Sequence, residues 1–170
     1  MTGTNKRDTF KYAFILAAFA VTLISCGTSP SSARALREPN ARERVYMAHL
    51  REQGYAPGIN QYGDFTFERG DFTYYLTISE RNPDGNQLWI PVFFIDSADS
   101  ASKAVYAASQ INRQVLVARA YISPLANGEM FVIATDFYLK EPDNFRIILP
   151  QLLESFDEAL KILDRAFGIE

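Results

Sequence analysis

The chain has 170 residues, 48% of them hydrophobic, and a formal net charge of −3, with one cysteine, one histidine and one tryptophan. That length supports a single domain with a sizeable core. A lone cysteine excludes a disulfide within the chain, a lone histidine excludes the common multi-histidine zinc sites, and a mildly acidic balance without a basic stripe argues against nucleic acid as a partner.

The first residues divide into the parts of a secretory signal. Lys6, Arg7 and Lys11 give a positive opening, and Tyr12 to Ile24 form an uncharged run of 13 residues. A run of that length suits a signal core and falls short of the roughly 20 residues that span a bilayer. It ends in Leu23-Ile24-Ser25-Cys26, which resembles the bacterial lipobox. That resemblance implies acylation of Cys26, cleavage before it, and a mature protein held on a membrane through its lipid. Gly27 stands where aspartate retains some lipoproteins at the inner membrane, so the outer membrane is slightly favoured. Residues 1–25 are thus read as signal peptide and 26–36 as a small, polar, flexible tether leading to a domain over 37–170. Without Lys6, Arg7, Lys11 and Asp8 the mature chain keeps 14 basic and 19 acidic residues, a net charge of −5. Arg34, Arg37, Arg42, Arg44 and Arg51 concentrate positive charge near the anchor, as a headgroup contact or as a solvated helix face.

A first helix is expected from Pro39 to Gln53, with Val45, Ala48, His49 and Glu52 sharing one side and Gly54 as its stop. Phe65 and Phe67 alternate with polar residues in a first strand, and Arg69-Gly70-Asp71 turns into a second. There Phe72, Tyr74, Leu76 and Ile78 point one way, and Thr73, Tyr75, Thr77 and Ser79 the other. Asn82 to Asn86 is turn chemistry. A third strand, Leu88 to Ile95, is apolar on both faces and is expected to be covered on both, with Pro91 marking an edge or a bulge. Caps at Asp96 to Asp99 open a second helix over Ala101 to Asn112. Strands at Val115 to Ile122 and Met130 to Leu139 follow. A last helix opens at Pro142 and carries Leu149, Leu152, Leu153, Phe156, Leu160, Leu163 and Phe167 as its apolar stripe. Pro150 either kinks this helix or marks its start.

The reading is therefore α+β: a five-stranded antiparallel sheet with three helices, in the order α-β-β-β-α-β-β-α. That order resembles the type III secretion chaperone-like superfamily, and within it the YbjN-like proteins. The matching residues are Gly54-Tyr55 with Pro57, Phe67 with Gly70, Tyr75, and Ile111-Asn112, within a span of about 40–167. The resemblance implies protein or peptide binding without catalysis, and often a homodimer. Secretion chaperones work in the cytoplasm whereas this chain carries an export signal, so the fold and the general binding habit are what carry over.

Candidate chemistry is sparse. His49 is the only residue a nucleophilic triad could use as its base, and on a helix it reads as a packed histidine. Asp96-Ser97-Ala98-Asp99 lacks the third ligand and the glycine of a cation loop, so it reads as helix caps. Asp64, Glu68 and Asp71 could pair carboxylates for acid–base hydrolysis, or simply lie on a solvated hairpin. Nothing in the sequence calls for a cofactor. The strongest candidate is a surface: Trp89 and Phe93 oppose Leu88, Ile90, Val92 and Phe94, and Tyr75, Met130, Val132 and Tyr138 join them if alternation holds. Aromatic and methionine side chains of this kind favour association, unless the second helix covers them. The expectation is a non-catalytic envelope lipoprotein that binds a peptide or a second copy of itself. The alternative is a carrier or sensor of a small apolar ligand lodged between sheet and helix.

Overall fold

The computed structural model describes residues 37–168 except 80 and 83. The signal peptide, Cys26 and most of the tether lie outside the described residues. Three helices pack on one side of an antiparallel sheet, as the α+β reading requires. The sheet has six strands rather than five, because Gly58–Ile59 adds a two-residue strand too short to show in hydrophobic alternation. Its order is β1-β2-β3-β4-β6-β5, with β1 Gly58–Ile59, β2 Phe65–Arg69, β3 Phe72–Ile78, β4 Gly85–Ile95, β5 Arg119–Leu125 and β6 Gly128–Tyr138. The helices are α1 Ala41–Glu52, α2 Ala98–Gln114 and α3 Phe145–Phe167.

Helix α1 starts two residues later than expected. Asn40 caps it: its side chain accepts from Glu43 N while Glu43 Oε2 accepts from Asn40 N, which satisfies two otherwise orphaned donors. Its buried side also differs from the expected one. Tyr46, Met47 and Leu50 face the core, and Ala48 is exposed. Tyr46 packs its ring 4.4 Å from that of Phe145, tilted against it, and donates to buried Asn86. These contacts fix which way the helix turns. His49 is buried as expected of a packed histidine.

Helix α2 is longer than its apolar pattern, since Ser97 caps it and Ser100 returns the bond to the Ser97 backbone. Helix α3 runs unbroken from Phe145, past Pro150, to a left-handed Gly168. A 3-10 turn, Pro142–Asn144, precedes it, so Pro150 is not its start. Its stripe seals the core: Leu149, Leu152, Leu153, Phe156 and Leu163 are buried against Tyr74, Leu88, Ile90, Phe131 and Ile133. Arg69 on β2 donates to both oxygens of Asp157 at 2.6 and 2.8 Å, fastening the hairpin to α3. Asn112 closes α2 onto β5, its side chain donating to Ala120 O and accepting from Ala120 N.

The fourth strand is central, between β3 and β6, so Pro91 does not mark an edge. The ladder shifts between Pro91 and Phe93, where the strand takes in one extra residue. A bulge is the arrangement a proline inside a central strand demands, because it cannot donate to the ladder.

Candidate functional site

Alternation and register assign each side chain of the sheet to one of two faces. One face carries the core and all three helices. On the other, Tyr75 lies opposite Trp89 and Trp89 opposite Ala134, while Pro91 lies opposite Val132 and Phe94 opposite Met130. Tyr121 of β5 pairs with Val132, and Tyr138 ends β6 on the same side. Five of the six residues singled out from sequence (Tyr75, Trp89, Met130, Val132 and Tyr138) therefore share this face. The second helix does not cover it, and among the described residues no helix packs on it. The expectation that both faces of the fourth strand are covered fails there.

Phe93 is the exception. The bulge turns it to the helix side, where its ring stacks on Phe131 at 5.2 Å and meets Phe167 edge-on at 5.1 Å. Phe94 takes the open side in its place and is 61% exposed. Simple alternation from Leu88 could not place either ring. The available signal was Pro91, whose missing N–H called for a register shift within two residues.

Tyr75 and Trp89 stack 4.3 Å apart and nearly parallel. Burial, with the charges of Asp64 and Glu68 adding to it, pushes the Tyr75 hydroxyl above its ordinary range, so it stays a neutral phenol. Val132 and Ala134 are buried within the face. The polar groups beside these rings satisfy one another. Trp89 Nε1 donates to Thr77 Oγ1 at 3.2 Å, Gln87 Nε2 donates to Asp136 Oδ1 at 2.9 Å, and Arg119 pairs with the same carboxylate. Thr73 Oγ1 donates to Glu68 at 2.9 Å. Such a face can lose its water and leave none of these donors unpaired.

The other candidates have local partners. Asp64 and Glu68 are exposed, the first accepting from Asn60 and the second from Thr73, and Asp71 is exposed at its turn. His49 sits between two carboxylates, Nδ1 3.3 Å from Glu52 and Nε2 3.4 Å from Asp143. The basic cluster is partly spent: Arg37 holds Glu43 with two bonds of 2.6 and 2.7 Å, and Arg42 pairs with Asp84. Arg44 and Arg51 remain exposed on α1. Two surface grooves, of about 460 and 430 Å³, lie beside Arg37 at the end of β3 and beside Leu116 before β5. The first lies between the start of α1, at Asn40 and Glu43, and β2–β3, at Phe65, Leu76 and Ile78; the second lies between the end of α2, at Asn112, and the link into β5.

The order of elements and this sheet now meet a solved structure. YbjN from E. coli, described as a candidate transcription regulator, superposes with a TM-score of 0.58 over 79% of this chain and 97% of its own, at 13% identity. The chain has the YbjN-like fold. No family model and no curated protein matches its sequence. The YbjN-like likeness at this identity is one of fold, and the function rests on the residues of the face itself.

Proposed function

We propose that this protein is a non-catalytic binding module of the bacterial envelope, anchored through lipidated Cys26, whose open sheet face takes a protein or peptide partner and associates with its own kind. The observation that carries the reading is the face just described. The Tyr75–Trp89 stack, Pro91, Phe94 and Met130 offer apolar contact area, and their polar neighbours are already hydrogen-bonded to one another. Aromatic and methionine side chains are what interface centres favour. Two or more acyl chains on Cys26 hold the module durably at a membrane, with the outer membrane favoured by Gly27.

The test uses the whole chain, tagged at its carboxyl end and recovered from detergent-solubilised native envelopes after brief crosslinking. The control is the double variant Tyr75→Ser with Trp89→Ser; Phe93 is left alone because its ring packs on the helix side against Phe131 and Phe167. A crosslinked species present with the native chain and absent with the folded variant supports the reading. Recovery of the same species from both rejects it. Cys26→Ser releases the protein from the membrane fraction if the anchor is as proposed.

A further inference from the structure

We infer that both edges of the sheet are closed to strand addition, β5 by Asn112 and Pro124, and β1 by its length and Pro57. A partner then meets this protein through side chains and never by extending its sheet. The inference concerns the backbone edges and stands whether or not the open face binds. An edge strand ordinarily presents a row of unpaired N–H and C=O groups to any extended chain. In an antiparallel ladder those groups belong to every second residue, because the residues between them bond inward.

On β5 a side-chain contact identifies the outward residues. Asn112 of α2 donates to Ala120 O at 2.9 Å and accepts from Ala120 N at 2.8 Å, so both Ala120 groups point away from β6. By alternation Ile122 and Pro124 point outward too, while Arg119, Tyr121, Ser123 and Leu125 bond to β6. The Asn112 amide thus stands where a peptide group of an added strand would stand. Pro124 has no N–H to offer, and its outward place leaves the ladder to β6 intact. Of the three outward positions in this seven-residue strand, one is taken and one lacks a donor. Ile122, which no described side chain bonds, alone offers both groups.

The far edge repeats the arrangement. Asn60 N donates to Asp64 O, which places Asn60 and Gly58 on the inward side and leaves Ile59 and Pro57 outward. Pro57 again has no N–H where an incoming strand would need one. A strand joins a sheet through groups at every second residue, repeated along its length. One residue with free groups at each edge does not offset the freedom that a joining chain loses. Short edge strands and outward prolines are how natural sheets avoid joining one another. Here the Asn112 amide adds a side chain that occupies the edge itself.

The test follows single amides of the full chain in detergent micelles by hydrogen exchange, from about 1 to about 100 μM. In the native chain the Ala120 amide should exchange about tenfold or more slower than that of Ile122, at a rate independent of concentration for both. The double variant Asn112→Ala with Pro124→Val opens all three outward positions. At about 100 μM its Ile122 amide should slow about tenfold or more as edges join. Where the double variant loses its cooperative melt, Pro124→Val alone, which keeps both Asn112 bonds, takes its place and should show a smaller slowing. An Ile122 amide that slows with concentration in the native chain overturns the inference, as does one that stays fast in the folded variants. Association through the open face leaves the Ile122 amide untouched, so it imitates neither result.

Discussion

Tyr75 and Trp89 stack 4.3 Å apart across β3 and β4 on a sheet face that bears no described helix. Four residues further along the same strand, Phe93 is packed between Phe131 and Phe167. Two aromatic rings of one strand thus have opposite tasks, and substitution should separate them. Trp89→Ser should cost about 1 kcal/mol, the worth of an aromatic pair, and leave a cooperative melt. Phe93→Ala, at a half-buried ring packed against the core, should cost more, about 2 kcal/mol. Chemical denaturation of both variants checks the difference; equal losses would place Trp89 in the core.

At the start of α1, Arg37 and Glu43 make a second separable pair. Burial of Glu43 works against its ionisation, but the hydrogen bonds and charge of Arg37 and the Asn40 amide outweigh it and hold the carboxyl below its ordinary range. Arg37→Ala leaves that carboxylate buried with its main partner gone, so it should destabilise by about 2–3 kcal/mol. Glu43→Gln, which keeps the cap, should cost less. Thermal melts of the two variants should rank them in that order.

Acid should loosen the clasp between β2 and α3. The hydrogen bonds of Arg69 hold the Asp157 carboxyl below its ordinary range. A carboxyl depressed in the folded state stabilises the protein above its unfolded value, near pH 4, and the contribution fades as pH falls through the lower folded value. Asp157 is partly exposed, so the contribution is about 1 kcal/mol. The stability gap between the native chain and Asp157→Asn should be full at pH 6 and close below pH 4. A gap that persists at pH 3 would mean the loss comes from packing.

Asn112 should matter more than its exposure suggests. Its amide answers both backbone groups of Ala120, the second residue of the edge strand β5. Asn112→Ala should cost about 1–2 kcal/mol. It should also speed amide hydrogen exchange in β5 ahead of β6, a pattern that general destabilisation would not produce.

Strong alternation made β3 legible residue by residue, and the long apolar stripe made α3 legible. The face of α1 was not, since it is set by the ring contact of Tyr46 with Phe145, almost a hundred residues away. The two-residue β1 carries too little pattern to see. On the candidate face, five of six residues followed from parity alone, and Phe93 was lost because a bulge breaks parity. Phe94 and Tyr121 were missed for related reasons: the first lies just past the bulge, and β5 begins at Arg119 rather than Val115. The residues after Val115 form the link to β5 and leave Leu116 fully exposed.

The most direct test of the open face asks whether it is covered where the protein works. Brief oxidative footprinting compares the chain in native envelopes with the purified chain at high dilution, reading Trp89 and Met130 against exposed Tyr62 as the reference. The face as an association surface predicts several-fold protection of Trp89 and Met130 in envelopes with Tyr62 unchanged. Equal oxidation of Trp89 in the two samples would contradict it.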